Sequence, residues 1–414
     1  MPTRTALISG ASVAGPVLGY WLAEAGWDVT IIERADRLRS SGYPIDVRGT
    51  AVEVIRRMGL YDEMAARRHR HVPVQLLAPG GRRLITLDYG SLLGSSAVGD
   101  VELTRGALSD LLHRATSDRV EYAFGDTITT LSRTDAGVDV TFGHRDPATF
   151  DVVVGADGIH SNVRALTFGD ESRHLHHLGP YAAVWDLPTG MFDPGTGFLY
   201  SHPGRTVLIE RPADGAAARA FLTFVHPQPG SVDTRDKNQI RDALHRAFAG
   251  DRWRTAEVID TLPAADDVYF DTVSQVRMDR WHRGHVALVG DAAYAPALLS
   301  GQGTSIAISG TYVLAGELAA HDRPAAAFAA YQDRMHAYVK RNQDLALRTD
   351  GTVLARTSGR LLRRNIKLCA VPLLQRLGLL RLLQTELRTA ATDLSLSDDD
   401  LRRSAQPLGK DHPR

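Results

Sequence analysis

The first pattern able to do chemistry is Gly10-Ala11-Ser12-Val13-Ala14-Gly15, with Glu33 about 18 residues further on. It follows a short apolar run, Ala6 to Ser9. Each residue type has a physical reason at its place. Gly10 permits a tight turn out of a strand. The second position must let backbone approach a pyrophosphate, and Ser12 departs from the usual glycine while remaining small. Gly15 lets helix and strand pack closely. The helix that begins there turns free N–H groups and the positive end of its dipole toward phosphates. Glu33 closes the next apolar run, Val29 to Ile32, where a carboxylate can accept bonds from ribose hydroxyls. An acid at that point disfavours a 2′-phosphate, so FAD or NAD fits better than NADP. An ordinary βαβ turn with a surface acid is the alternative, and the complete strand–turn–helix–strand–acid context argues for a dinucleotide.

Two further motifs end apolar runs. Asp157-Gly158-x-x-Ser161-x-Val163-Arg164 follows Val152 to Val154. Gly290-Asp291-Ala292-Ala293 follows His285 to Val289 and precedes Pro296 and Gly301-Gln302-Gly303. Either aspartate alone could be a helix cap at a strand end. The order of the two, about 130 residues apart, is the specific signal.

The elements that must position these motifs are read from periodicity. Val17 to Ala25 has Leu18, Trp21, Leu22 and Ala25 on one helical face, and Gly26 stops it. Val52 to Leu60 and Arg105 to Ala115 are helical. Val74 to Ala78 and Arg83 to Leu87 flank Pro79-Gly80-Gly81 as a hairpin. Val120 to Phe124, Val138 to Phe142 and Phe150 to Val154 are strands, the last continuously apolar as a fully buried strand would be. Residues 173–279 are richer in Pro, Gly and aromatic residues, with strands such as Thr206 to Ile209 and Ala220 to Val225. Helices are expected over Ser305 to Leu318, Tyr331 to Leu347 and much of Gly351 to Ala391, before a polar tail. The expected organisation is α/β. A Rossmann-like nucleotide domain, discontinuous in sequence, takes 1–71, 102–172 and 280–345. A mostly β substrate domain takes 72–101 and 173–279. A C-terminal helical segment, 346–396, bridges the two, and 397–414 form the tail.

Composition bounds the partners. The 414 residues hold 48 Lys plus Arg against 48 Asp plus Glu, so no global basic field draws nucleic acid or an anionic membrane. The single cysteine, Cys369, excludes an internal disulfide, and its apolar neighbours predict a buried structural thiol. His174, His176 and His177 have no matching acidic cluster and are read as a solvated turn rather than a metal site. No metal site is expected. No signal peptide precedes the first strand and no apolar stretch reaches the roughly 18 residues of a membrane helix, so the cytoplasm is the expected location. Leu361-Leu362-Arg363-Arg364 and Leu379 to Leu383 mix apolar and basic faces; packing across the domains is preferred over membrane contact.

Taken in order, the motifs resemble those of the group A flavoprotein monooxygenases, the p-hydroxybenzoate-hydroxylase-like family. The layout is similar to the compact branch that includes tetracycline-inactivating monooxygenases, over roughly residues 4–345. The resemblance implies FAD as cofactor. It places Gly10, Ser12 and Gly15 at the pyrophosphate and Glu33 with Arg34 at the adenosine ribose. Arg105, in Glu102-Leu103-Thr104-Arg105, matches an arginine at the pyrophosphate and ribityl region. Asp157 and Gly158 match a motif serving FAD and the nicotinamide. Asp291 matches the ribityl aspartate, and Gly301 and Gly303 match the loop and helix start beside the flavin pyrimidine. Tyr294 stands where many members have histidine, and Leu298 where many have proline, which bears on the shape of the reaction cavity.

The implied chemistry is oxygenation. NADPH or NADH would reduce the flavin transiently, and O2 would give a C4a-hydroperoxide that hydroxylates an aromatic or polycyclic substrate. Such a scheme needs no protein nucleophile, and no catalytic residue is assigned. No second glycine fingerprint serves the nicotinamide, which this class similarly lacks. Substrate contacts are expected from the inserted domain, with Trp185 and Phe221 the first choices and Leu298 beside them. The assembly is expected to be a monomer or homodimer. Baeyer–Villiger oxygenation, an oxidase and a metabolite-binding protein stay open as alternatives. A halogenase does not, because no Trp-x-Trp-x-Ile-Pro segment is present.

Overall fold

The computed structural model describes residues 3–38, 43–88, 99–226, 228, 230–234, 236–376, 394 and 396. Strand β1 (Thr5–Ser9) turns into helix α1 (Ala14–Glu24) and returns as β2 (Asp28–Glu33), parallel to β1. The turn closes because two side chains are missing. A Cβ on Gly15 would lie 1.9 Å from the Gly10 carbonyl oxygen, and one on Gly10 would lie 2.5 Å from that of Ala156. Gly10 also holds φ 110°, a left-handed value that suits glycine. The fingerprint glycines therefore fold the turn and seat it against the next strand end.

A ribbon of β3 (Pro44–Val47) and the later β6 (Val101–Thr104) lies between the two halves of the molecule. Helices α2 (Thr50–Arg57) and α3 (Tyr61–Ala66) follow β3, and a hairpin of β4 (Pro73–Leu77) and β5 (Arg83–Asp88) crosses to the second sheet. Helix α4 (Arg105–Thr116) starts where β6 ends, with Thr104 accepting the Ala107 N–H as its cap. Then come β7 (Glu121–Phe124), β8 (Ile128–Arg133), β9 (Val138–Phe142), β10 (Ala148–Phe150) and β11 (Val152–Gly155). The apolar run expected as one strand, Phe150 to Val154, is thus divided. Asp151 takes the N–H and hydroxyl of Thr5 at 2.7 and 2.9 Å, and the chain passes from the β8–β9–β10 sheet into the parallel sheet at that residue.

Helix α5 (Asn162–Phe168) leads into four long strands, β12 (Leu175–Asp186), β13 (Thr196–His202), β14 (Arg205–Arg211) and β15 (Arg219–Val225). Helices α6 (Lys237–Ala247) and α7 (Thr255–Asp260) and strand β16 (Val268–Val276) complete this region. The seven-stranded sheet runs β16-β12-β15-β14-β13-β4-β5. One face buries Tyr181, Trp185, Leu222 and Phe224 against Ile240, Leu244 and Ile259 of the two helices. The region is mostly β, as its composition suggested; the positions of these two helices were not anticipated.

The chain re-enters the first sheet through β17 (His282–Arg283) and β18 (Val286–Leu288). That sheet runs β17-β18-β11-β1-β2-β7, parallel except for β17. After the short α8 (Asp291–Tyr294) comes α9 (Gly303–Ala320), buried on every side from Ser305 to Leu318 and packed on α1. Helix α10 (Pro324–Val353) lies against α9. Helix α11 (Ser358–Arg376) begins only after a break, not at Gly351, and covers β5 and β13. The tail and Leu379 to Leu383 lie outside the described residues. Leu394 and Leu396 pack on the first core, and the Thr50 hydroxyl donates to the Leu394 carbonyl at 3.1 Å.

Cys369 corrects the expectation of a buried thiol: it is exposed on α11. Its apolar sequence neighbours misled because a helix turns about 100° per residue, so Leu368 and Val371 share the inner face while Cys369 points out. Among the described residues, no helix is long and apolar enough to cross a membrane.

Gly15→Ala tests the turn. The obstructing atom is backbone and cannot swing aside, so the variant is expected to lose about 1–3 kcal/mol. Chemical denaturation and the flavin-to-protein ratio measure it; wild-type values for both would remove the close contact from the fold.

Candidate active site

The carboxyl ends of β1, β11 and β18 adjoin, and each leads to one of the three motifs. At the first, α1 begins with neither a side-chain cap nor an acid in its first turn, which leaves its N–H groups for an anion. Glu33 braces this turn, with its two oxygens accepting from the N–H of Ala11 at 3.0 Å and of Ala35 at 2.9 Å. Arg34 beside it is exposed. Ser12 and Arg105 meet here, as the Arg105 Nε donates to the Ser12 hydroxyl at 3.0 Å. The serine in place of glycine thus fixes a guanidinium at the mouth of the turn.

At the second strand end, Asp157 accepts from the Ser161 hydroxyl and from the Val163 N–H at 3.1 Å. Burial pushes its carboxyl up, and these donors oppose the shift. Gly158 holds φ 85° with open space around it. Arg164, fully buried, donates to the Ala292 carbonyl at 3.0 Å, the Ile159 carbonyl at 2.6 Å and Glu171 at 3.1 Å. It ties the second motif to the third.

Asp291 follows Gly290, whose φ of 64° turns the chain at the end of β18. Asp291 reaches solvent although protein surrounds it. That desolvation raises its carboxyl, and Arg105 draws it back down. A Cβ on Gly303 would lie 3.5 Å from Asp291 Oδ1, and one on Gly301 3.2 Å from Asp46 Oδ2. Asp46 pairs with the buried Arg48 at 2.7 Å; burial still lifts its carboxyl to about 6. Between the two glycines stands Gln302, wholly buried, whose side-chain amide has no protein partner on either atom.

The substrate-facing expectations divide. Phe221 and Leu298 join Tyr269, Ala182 and Ala297 in one apolar cluster on the sheet face opposite α6 and α7. Trp185 lies on the other face, buried, with its Nε1 donating to the Thr261 hydroxyl at 2.9 Å. Strand alternation decides this: Val184 pairs with Phe221, so Trp185 points the opposite way. Ala297 holds φ 91°, the one left-handed non-glycine among the described residues, next to Leu298. Such strain costs about 1–3 kcal/mol and collects at functional loops. Tyr294 does not join this cluster; it is buried, with its hydroxyl 3.0 Å from that of Tyr331.

Several groups gave no sequence signal. Tyr43 stacks edge-on to Tyr269 at 5.1 Å and lies beside Arg105, linking the two sheets. His160, three residues after Asp157, touches Asp271 at 2.9 Å and Glu171 at 3.0 Å. These two carboxylates hold its imidazolium up to about 10, Asp271 first, against burial. Of the three histidines read as a turn, His174 ends one, whereas His176 and His177 lie in β12, and His177 bonds the Ser274 hydroxyl at 2.8 Å across to β16. His69, His71 and Glu210 converge elsewhere, between the β3–β6 ribbon and the large sheet.

The residues fit FAD. Unsatisfied N–H groups at α1, a guanidinium beside them, a carboxylate inside the concavity and an orphaned buried amide at the start of α9 match a pyrophosphate, a polyol chain and a polar ring system. The sequence profile described as an FAD binding domain matches residues 3–346. The chain belongs to this family. It is 35% identical over 354 residues to a flavin-dependent monooxygenase from an unknown prokaryotic organism, covering 85% of this chain and 91% of that one. An uncharacterized protein of Mycobacterium tuberculosis is 41% identical over 344 residues, with 82% and 92% covered. The crystal structure of tetracycline destructase Tet(55) superposes with a TM-score of 0.83 at 31% identity, over 96% of this chain and all of that one. This family member is an FAD-dependent monooxygenase, with the mixed α/β architecture of the tetracycline destructases.

His160 gives a stability test. Its folded value, about 10, lies above the unfolded value of 6.5. Its contribution is therefore whole below pH 6.5 and is lost as pH rises toward 10. His160→Gln is expected to be less stable than wild type at pH 6, with the gap closing by pH 10, in urea denaturation series. A gap independent of pH would show that the imidazolium charge contributes nothing.

Proposed function

We propose that this monooxygenase hydroxylates a small aromatic or polycyclic substrate, consuming NADPH or NADH and O2. The observation that carries the reading is the cluster of Phe221, Tyr269 and Leu298, which sets an apolar sheet face against the loop leading to Gly301 and Gly303. An apolar wall beside polar cofactor-holding groups suits a flat organic molecule. Similarity to a tetracycline destructase supports a polycyclic ring system within that class.

In this reading Gly10, Ser12, Gly15 and Arg105 hold the pyrophosphate, and Glu33 with Arg34 lie at the adenosine end. Asp291 holds the ribityl chain. Gly301 and Gly303 bring the start of α9 to the pyrimidine side of the ring, where its N–H groups favour negative charge. Asp157 and Gly158 shape the place where the nicotinamide docks. When bound, FAD would supply the redox chemistry, accepting hydride and activating O2. The protein's own task is orientation and the exclusion of water. Phe221 and Leu298 do this by contact, and Tyr269 closes the layer.

The test is an anaerobic absorbance experiment on the flavin-loaded protein. NADPH and NADH are added with and without phenols and tetracyclines, and 18O2 is then admitted. Faster bleaching with substrate and a product heavier by one labelled oxygen are expected. Flavin that neither nicotinamide reduces, with or without the panel, would overturn the reading. Asp291→Ala is expected to lose most of its FAD, measured as flavin absorbance per protein; full retention would remove Asp291 from the site. Phe221→Ala is expected to raise KM about tenfold, the effect of roughly 1.4 kcal/mol, while Trp185→Phe leaves KM unchanged. Equal effects of the two would place the substrate elsewhere.

A further inference from the structure

Three side chains from distant parts of the sequence meet where the β3–β6 ribbon crosses the large sheet. His69 and His71 precede β4, and Glu210 lies near the end of β14. One ligand atom from each lies within 4.8 Å of the other two. Glu102 of β6 stands beside them, with Oε2 3.0 Å from His71 Nε2. The two imidazole rings are set edge to face at 5.4 Å.

The cluster is short of partners. His71 Nε2 is taken by Glu102 Oε2, while His71 Nδ1 and Glu210 Oε1 are buried without a hydrogen-bond partner. The Glu102 side chain is only 8% exposed. Arg219, opposite Glu210 on β15, bonds Asp186 at 2.7 Å, and its charge also acts on Glu210 and His69. Buried polar atoms are nearly always satisfied by protein, water or an ion, so these two, side by side, call for a shared partner.

We infer that His69, His71 and Glu210 bind a divalent transition-metal ion of the zinc class. Two imidazoles and a carboxylate are the donors such an ion takes, whereas magnesium and calcium prefer oxygen alone. Zinc holds its donors at about 2.0–2.2 Å, so they stand roughly 3.5 Å from one another. The donor atoms already lie within 4.8 Å of one another, so binding draws them together by about 1 Å. Glu102 is the carboxylate that orients a metal-bound imidazole from behind. The ion clasps the β3–β6 ribbon to the large sheet, on the face that also carries Phe221. Three protein donors leave its fourth position to water.

The test uses the full, FAD-loaded protein, stripped with chelator and dialysed against zinc, with metal measured by elemental mass spectrometry. One zinc per chain is expected, with a rise in thermal midpoint that magnesium does not reproduce. His69→Gln and Glu210→Gln are each expected to abolish the stoichiometric zinc at unchanged flavin content. Glu102→Gln is expected to weaken it about 10–100-fold. Substoichiometric zinc at every concentration would overturn the inference, as would zinc retained equally by His69→Gln and Glu210→Gln. Should either variant fail to fold, the zinc stoichiometry and midpoint of the wild-type protein decide alone.

Discussion

A guanidinium sealed from water joins two turns of this molecule. Arg164 reaches the Ile159 carbonyl of its own motif, the Ala292 carbonyl beyond Asp291, and Glu171. No other side chain offers donors in so many fixed directions at one point, and lysine could not replace it. Burial lowers its hold on the proton, and Glu171 and Asp157 restore it. Removing the arginine would leave both carbonyls without their buried donor. With the strand ends of β11 and β18 fixed to each other, Asp291 is held in register with the glycine-rich turn of β1. The discontinuous nucleotide-binding half is assembled around this knot.

The second half depends on alternation. Because neighbouring residues of a strand face opposite ways, the large sheet divides its side chains between a layer under α6 and α7 and a layer toward the loop that leads to Gly301 and Gly303. Phe221 and Leu298 share the latter across separate stretches of chain, and the strained backbone at Ala297 delivers Leu298 to it. Tyr294, which departs from the family pattern, changes the other side. Its ring fills a space that Gly310 leaves open, and its hydroxyl meets Tyr331 among buried helices. Tyr294 thus belongs to the first core and not to the apolar layer of Phe221 and Leu298.

The parts legible in the sequence were those where one short segment carries the whole physical reason. The turn at Gly10 to Gly15, the apolar strands that precede Asp157 and Asp291, and the hairpin around Pro79-Gly80-Gly81 are local, so spacing revealed them. Facing was harder. Trp185 and Phe221 lie on paired strands and look alike in sequence, but the pairing of Val184 with Phe221 sends them to opposite layers. Cys369 was misread for the same reason in helical form. Convergence was hardest: His160 finds Asp271, and His71 finds Glu102 and Glu210, only once sheets cross. No periodicity encodes such meetings.

The outward-facing thiol of Cys369 carries a practical consequence. It is the sole cysteine of the chain, exposed on α11, the helix laid over the edge of the substrate sheet. A maleimide dye would therefore attach at one known point without any engineering. The isoalloxazine ring is itself a fluorophore, so a dye on this thiol forms a donor–acceptor pair with it. The native protein thus contains a molecular ruler between its covering helix and its cofactor, able to report in real time whether that helix shifts as a substrate arrives.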